Sequence, residues 1–205
     1  MSQPTRIVTT AATLMIPLFL LTGCHAFWMN VSEKDPAKAK HLDAKYDPSD
    51  HLTFSKQIIE AVLADFPPPG ETPVGVELGI ENATNDHLET KGLADTIVTG
   101  FIDSKKIKFV GSTQRDALLR EQNYQLQNCK PETKAAIGKQ LGAKYMLTGR
   151  LIEIEKKSGR EVRLSKTRDV YYQLTLTLTD ITTGEIVVQK QKDRLRSAKE
   201  PLIGW

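Results

Sequence analysis

Residues 72–110 read TPVGVELGIENATNDHLETKGLADTIVTGFIDSKKIKFV, and this stretch decides the fold. It opens with apolar residues at every second position from Val74 to Ile80, separated by glycine and glutamate. A period of two residues is typical of a strand that buries one face. We therefore expect a strand over residues 72–80 whose apolar side chains all lie on the same side.

A helix and a second strand follow in the same stretch. Asp86 with Glu89 three residues later has the spacing of a capping box, which opens a helix. Apolar side chains then recur at helical spacing; they are Leu93, Ala94, Ile97, Val98, Phe101 and Ile102. The short apolar run from Ile107 to Val110 predicts the second strand. A strand, a helix and a strand in this order form a parallel, right-handed unit in nearly all cases.

The rest of the chain predicts three more helices and three more strands. The helices are expected from Leu52 to Pro67, over residues 113–124 and over residues 131–142, and the strands over residues 144–155, 169–179 and 186–190. The last three strands follow one another closely and alternate, as in an antiparallel meander with one wet face. The fold class is therefore α/β, a single sandwich-like domain with a mixed β-sheet and flanking helices.

The N-terminus has the features of an exported lipoprotein. Residues 1–23 combine a short polar start, an apolar run too short for a permanent membrane span and small residues at the exit, which is the pattern of a signal peptide. The sequence Leu21-Thr22-Gly23-Cys24 resembles the bacterial lipobox, in which the cysteine is acylated. We expect Cys24 to carry lipid. The alternative is a secreted protein with a free Cys24.

A flexible tether is predicted behind this cysteine. Residues 24–51 are charged, contain two prolines and show no sustained apolar period. From residue 25 to residue 51, a fully stretched chain reaches about 90 Å. The sequence thus divides into a signal peptide over residues 1–23, a lipidated tether over residues 24–51 and a globular domain over residues 52–205.

Charge and cysteine content exclude several classes of function. The chain has 28 Lys and Arg against 25 Asp and Glu, and removal of residues 1–23 deletes Arg6 and no acid, so the net charge falls from +3 to 3 − 1 = +2. A nearly neutral protein does not have the basic surface that nucleic acids require. Apart from Cys24, Cys129 is the only cysteine, so we expect no disulfide within the chain.

The sequence contains no motif for catalysis or metal binding. A nucleophile elbow, a phosphate-binding glycine loop and a pair of histidines at helical spacing are all missing. We therefore predict neither enzymatic activity, nor a cofactor, nor a metal ion. Glu77 and Glu81 lie on one predicted strand face, and we interpret them as solvated charges rather than as paired catalytic carboxylates.

The connector over residues 156–168 is the richest polar feature, with six cations against Glu161. Two interpretations stay open. The connector is either a solubilising hairpin tip or a patch for the acidic surface of a partner.

Three groups of segments, taken in their order and spacing, form a recognisable pattern: Glu77–Thr84 with His87–Thr90, Leu141–Gly149, and Leu174–Asp180 with Thr183–Ile186. Together they resemble the LpoB family of penicillin-binding protein activators. The resemblance covers residues 52–205 and implies a non-enzymatic lipoprotein that faces the periplasm. In lipoproteins of Gram-negative bacteria, aspartate directly after the lipidated cysteine retains the protein in the inner membrane. Because His25 follows Cys24 here, the resemblance to these lipoproteins implies the outer membrane. The implied partner is a bifunctional class A penicillin-binding protein, whose glycan polymerisation and peptide cross-linking the lipoprotein stimulates.

The resemblance also implies where the partner is bound. The family's interface near the third strand corresponds to Thr148 and Arg150 in this chain, and the neighbouring connector adds Arg160 and Arg163. We expect a monomer with no nucleic-acid partner. The alternative is the CsgG-like class of envelope or secretion-assembly lipoproteins, which form oligomers through long amphipathic membrane hairpins, and the sequence does not show such hairpins.

Overall fold

The computed structural model describes residues 32–38, 40–121, 130–158 and 165–201. The chain divides into two compact units, Met1–Lys34 and Asp35–Trp205. Of the first unit, residues 32–34 are described, and they are exposed and have no regular secondary structure. The second unit contains all the helices and strands named below.

A five-stranded mixed sheet is the centre of the second unit. Its strands are β1 (Val74–Ala83), β2 (Lys108–Phe109), β3 (Tyr145–Lys157), β4 (Ser165–Asp180) and β5 (Ile186–Pro201), and the helices are α1 (Pro48–Asp65), α2 (Thr90–Asp103), α3 (Ser112–Glu121) and α4 (Pro131–Gln140). The sheet order is β2-β1-β3-β4-β5. Pairing is parallel from β2 to β3 and antiparallel from β3 to β5. The predicted α/β class, parallel unit and antiparallel meander are confirmed.

The helices pack on both sides of the sheet and bury two separate clusters. α1 and α2 cover one side and bury the larger cluster, which includes Ile58, Ile97 and Leu174. α3 and α4 contribute to a smaller cluster on the other side, which includes Leu78 and Ile137. The sheet residues of the smaller cluster lie on β1 and at the beginning of β3. This cluster therefore does not cover the rest of that side of β3, β4 and β5.

β1 differs from the predicted strand in its middle. Its register with β3 shifts between Glu77 and Ile80, and Gly79 has a φ of +100°, which glycine adopts readily. Such a bulge adds one residue and changes which side the following residues face. Val76 and Leu78 consequently lie in the smaller cluster and Ile80 in the larger one. The prediction of one shared apolar face was wrong, because alternation in the sequence does not reveal an inserted residue.

The interpretation of Glu77 as a solvated charge was also wrong. Glu77 is 8% exposed, and its carboxylate accepts a hydrogen bond from the guanidinium of Arg115 on α3. Arg115 Nη1 also donates to the Glu77 carbonyl at 2.9 Å, and its Nε donates to Asp116 at 3.0 Å. A carboxylate is tolerated in this position because a buried charge that is paired and hydrogen-bonded avoids most of the desolvation cost.

α2 begins later than the sequence indicated. Its N-cap is Glu89, whose side chain accepts from the Lys91 amide at 3.1 Å, so Asp86 and Glu89 do not form the predicted capping box. Asp86 lies in the preceding loop, where its carbonyl accepts from the Asn82 amide group at 3.1 Å and from the Thr84 hydroxyl at 2.8 Å. These local side-chain bonds offer the backbone an alternative to the helix and delay its start.

α1 begins earlier than the sequence indicated, at Pro48 rather than Leu52. Asp47 is its N-cap and forms a capping box with Asp50, and proline is well suited to the first helical turn. These signals are polar and add nothing to the apolar periodicity from which the start was predicted. The folded domain therefore begins before residue 52, and Ala44 is already fully buried in the larger cluster.

β5 continues well beyond the predicted strand over residues 186–190 and ends at Pro201. Its second half is mostly charged or polar, so hydrophobic alternation fades after Lys190. Antiparallel pairing with β4 nevertheless continues, with Leu195 opposite Tyr171 and Pro201 opposite Ser165. The long strand is therefore defined by its backbone partner rather than by its own burial pattern.

Candidate protein-binding face

The described ranges contain neither a cluster of metal ligands nor a helix suited to span a membrane. No group of three or more His, Cys, Asp or Glu side chains in these ranges is placed to hold a metal ion. None of the helices in the same part of the chain combines the length and the apolar character that a membrane span needs.

One face of β3, β4 and β5 is open to solvent. On β4, Tyr172, Leu174, Leu176 and Leu178 point into the larger cluster and are at most 1% exposed. The alternate residues of all three strands point to the other side, where most of them are half-buried or exposed. We call this side the open face; its residues are Thr148, Arg150, Ile152, Ile154, Tyr171, Gln173, Thr175, Thr177, Gln189, Gln191, Asp193 and Leu195.

Strand pairing arranges the open face in four rows across the sheet. The rows are Thr148–Thr177–Gln189, Arg150–Thr175–Gln191, Ile152–Gln173–Asp193 and Ile154–Tyr171–Leu195. In the second row, Gln191 Nε2 donates to Thr175 Oγ1 at 3.1 Å, and Arg150 Nε lies 3.5 Å from Glu81 Oε2 on β1. Because side chains directly opposite each other on paired strands are in contact, each row is a continuous strip.

The fourth row is apolar although it faces solvent. Ile154 is 57% exposed and Leu195 is 68% exposed. Tyr171 lies between them, half-buried, and its hydroxyl accepts from Gln173 Nε2 at 2.9 Å. A single exposed apolar residue needs no explanation, but adjacent ones rimmed by polar groups are typical of interaction sites. The row thus has the composition of a small protein-binding hot spot.

The predicted contact residues fall partly on this face. Thr148 and Arg150 lie in its first and second rows, two positions apart on β3, so the fold brings both to the same surface. Arg160, Arg163 and the predicted lipidation site Cys24 lie outside the described residues.

Sequence reasoning missed the apolar row for an identifiable reason. The alternation of β3 and β4 already placed Ile154 and Tyr171 opposite the buried side chains, so two of the three residues carried a signal. Leu195 carried none, because it lies in the half of β5 that was not predicted as a strand. Only the pairing of β5 with β4 shows that the three side chains are neighbours.

A second polar cluster lies on the opposite side of the sheet, at the start of α1. Asp50 is 1% exposed and contacts the guanidinium groups of Arg194 and Arg196 on β5. Burial raises the pKa of Asp50, although the amide of Asp47 and the two arginines oppose the effect. Burial also acts to raise the pKa of Asp47, but hydrogen bonds from His41, Ser49 and Asp50 hold that pKa below its usual range. The cluster fastens α1 to β5.

The fold and the open face define a small mixed α/β domain that presents one polar sheet face, with an apolar row, to its surroundings. The model of one protein family, described as peptidoglycan-synthase activator LpoB, matches residues 56–193. The chain belongs to the LpoB family. This family is a class of envelope-associated proteins that activate peptidoglycan synthases and are not themselves enzymes.

Solved structures of LpoB proteins are similar to this chain; of the three that follow, only the first has a TM-score above 0.5, and it supports the fold alone. The C-terminal domain of LpoB from Escherichia coli is 17% identical and has a TM-score of 0.51, covering 68% of this chain and 94% of that one. The domain from Salmonella enterica gives 16% identity and a TM-score of 0.49, over 70% of this chain and 94% of that one. The solution structure of E. coli LpoB is 16% identical with a TM-score of 0.48 and covers 97% of this chain and 96% of that one. No sequence among curated proteins matches significantly.

Proposed function

We propose that this protein is an outer-membrane lipoprotein, anchored through Cys24, whose domain binds a bifunctional class A penicillin-binding protein in the periplasm and stimulates it. The family assignment gives the broader role, activation of a peptidoglycan synthase. The signal peptide over residues 1–23, the lipobox and the residue after the cysteine are the grounds for the anchor and its membrane.

The observation that carries the proposal is the open face. It joins Thr148 and Arg150 to the exposed apolar row Ile154–Tyr171–Leu195 on one surface. Interfaces commonly have large apolar side chains at the centre and polar, partly hydrated groups around them. In our proposal the apolar row supplies most of the affinity, and the threonine, glutamine and arginine side chains of the other rows orient the partner.

Activation follows from preferential binding. A ligand shifts a conformational equilibrium only as far as its affinities for the two states differ. In our proposal the open face complements the surface of the synthase in its active conformation better than in its resting one. By linkage, a substrate that favours the active conformation then also tightens binding of the lipoprotein.

The test is a rate measurement with the purified chain from residue 25 to residue 205 and the cognate synthase. The chain should raise the rate at which the synthase polymerises lipid II, and Arg150→Glu should lower this stimulation, since it reverses a charge on the open face. The matched control is Lys91→Glu, a charge reversal at an exposed position of α2 on the other side of the sheet. The proposal is contradicted if the chain neither stimulates the synthase nor co-purifies with it.

A further inference from the structure

The segment before α1, residues 41–47, lies along the domain instead of leaving it. Ala44 is fully buried, and the Lys45 ammonium lies 3.0 Å from Asp86 Oδ1 in the loop before α2. We call residues 41–47 the strap. The sequence placed the whole strap in the tether, so these contacts concern chain that was expected to be free.

Arg196 on β5 is the centre of the contacts that hold the strap. Its Nη1 donates to the Lys45 carbonyl at 2.8 Å and to Asp47 Oδ2 at 3.0 Å, and its Nη2 donates to Asp50 Oδ1 at 2.8 Å. The Arg196 side chain is only 12% exposed. A guanidinium that binds two carboxylates and a carbonyl in a nearly dry site makes strong, geometrically specific hydrogen bonds.

Aromatic packing adds a second attachment. The Tyr46 ring stacks on Phe54 with centroids 6.3 Å apart and meets Tyr172 edge-on at 5.6 Å. The Tyr46 amide also donates to the Tyr172 hydroxyl at 3.1 Å. The strap is thus bound by its backbone at two successive residues, because the Lys45 carbonyl and the Tyr46 amide are both engaged.

The chain upstream of the strap is held much less. The helical turn Pro36–Lys38 has no buried residue, and the Lys38 ammonium lies 3.8 Å from Asp35 Oδ2, with 85% of the lysine side chain exposed. Leu42 at the beginning of the strap is 95% exposed. His41 Nδ1 lies 2.5 Å from Asp47 Oδ2, but this contact is exposed, and Ala44 is the first buried residue of the strap. Buried attachment therefore starts between Leu42 and Ala44.

We propose that Arg196 and Tyr172 clasp the strap to the domain and thereby set the working length of the membrane tether. The consequence for length rests on the proposed lipid anchor at Cys24. With the clasp closed, the free chain ends near residue 43, and its greatest reach from residue 24 is about 65 Å instead of the roughly 80 Å that a chain free up to the start of α1 would have. Opening the clasp releases residues 44–47, since α1 still begins at Pro48, and restores up to roughly 15 Å.

The clasp is tested by limited digestion of the full-length protein with trypsin. Lys40, which is exposed, and Lys45, whose side chain is 42% exposed, are successive trypsin sites on the two sides of the attachment point. Because the Lys45 carbonyl is bound by Arg196, cleavage after Lys45 should be at least about tenfold slower than after Lys40. Equal rates at the two lysines would overturn the proposal.

Variants separate the clasp from general stability. Arg196→Gln should raise cleavage after Lys45 about tenfold or more, since it removes charge-assisted hydrogen bonds. Tyr172→Phe should raise it less, because it removes only the acceptor for the Tyr46 amide. The control Arg150→Gln removes an arginine of the exposed pair with Glu81 and should change nothing at Lys45. If Arg196→Gln unfolds the domain, Tyr172→Phe decides, and unchanged cleavage in a folded Tyr172→Phe protein contradicts the clasp.

Tether length is tested in the envelope with the lipidated protein. Deleting residues 26–29 removes about as much chain as the clasp withholds, so it should lower activation of the synthase, and Arg196→Gln should restore part of it. The length-setting role is contradicted if the deletion has no effect on activation. It is also contradicted if Arg196→Gln speeds cleavage after Lys45 but does not improve activation by the deletion variant. Failure of the proposed function gives another pattern: the digestion results hold, and the synthase does not respond even to the intact protein.

Discussion

Individual buried residues of this domain are held in specific charge states. Tyr46 and Tyr172 lie at the junction of the strap, α1 and β4, next to Asp47 and Asp50. Burial, helped by the nearby Glu153 carboxylate, raises the pKa of Tyr172 to about 12. Burial together with Asp50 and Asp47 raises the pKa of Tyr46 further still.

These shifts predict how stability changes at alkaline pH. A phenol whose pKa is higher in the folded state stabilises the fold fully below its unfolded value near 10, and this contribution is lost as pH rises through about 12. Ultraviolet titration should therefore show Tyr46 and Tyr172 ionising late, or only on unfolding. Tyr172→Phe should remove one late ionisation step. Ionisation of all five tyrosines near pH 10 with circular dichroism unchanged would contradict this.

The buried pair of Arg115 and Glu77 gives a second prediction at the residue scale. Arg115→Ala leaves a carboxylate in a site that is 8% exposed, so the free energy of unfolding should fall by about 3–5 kcal/mol. The double variant Arg115→Met with Glu77→Gln should lose much less, because no unpaired charge remains. Urea denaturation measures both. An equal loss in the single and double variants would show that the pair is not held as described.

The bulge in β1 decides which side chains reach which cluster, and Gly79 is the residue that permits it. With a φ of +100°, Gly79→Ala should cost about 1–2 kcal/mol of folding free energy. Gly92 in the first turn of α2 is the matched control, because an added Cβ there meets nothing closer than 3.9 Å. Gly92→Ala should stabilise by about 0.5–1 kcal/mol. Thermal unfolding curves that shift in the same direction for both variants would refute this account.

Regular elements were predictable where apolar periodicity is strong, and local polar chemistry explains the exceptions. The alternation of β3 and β4 and the stripe Leu93–Phe101 of α2 identified these elements correctly. The starts of α1 and α2 and the bulge at Gly79 were missed, because they depend on hydrogen bonds of Asp47, Asn82 and Glu89 and on one inserted residue. Apolar periodicity reports which side chains are buried, and it contains no information on these hydrogen bonds or on an inserted residue.

At the scale of the whole molecule, the second half of β5 is the edge of the sheet and is strongly basic. Lys190, Lys192, Arg194 and Arg196 are alternate residues on one side of this edge strand, where Lys190 pairs with Asp65 and both arginines pair with Asp50 of α1. Two copies that paired edge to edge would have to accommodate these charged side chains, and charged edges are a common protection against such pairing. Light scattering of the purified chain should therefore give the mass of a monomer. Rings or large oligomers would favour the assembly class considered from the sequence.

The candidate site was only partly predictable because it is assembled by pairing across the sheet. Thr148 and Arg150 were reached through family resemblance, and the structure places them on one surface. The apolar row needed the register of three strands, since Ile154, Tyr171 and Leu195 are far apart in the chain and meet only through β4. A single sequence shows the alternation of each strand but not its neighbours.

The most direct test of the central claim is the affinity of the purified domain for the synthase with and without a charge in the apolar row. Ile154→Asp and Leu195→Asp should each weaken binding by about tenfold or more, as hot-spot residues do. Ile102→Asp is the matched control, because Ile102 is 49% exposed on α2, on the other side of the sheet, and should bind as the parent protein does. Unchanged affinity of both row variants, or an equal loss in the control, would contradict the open face as the binding surface.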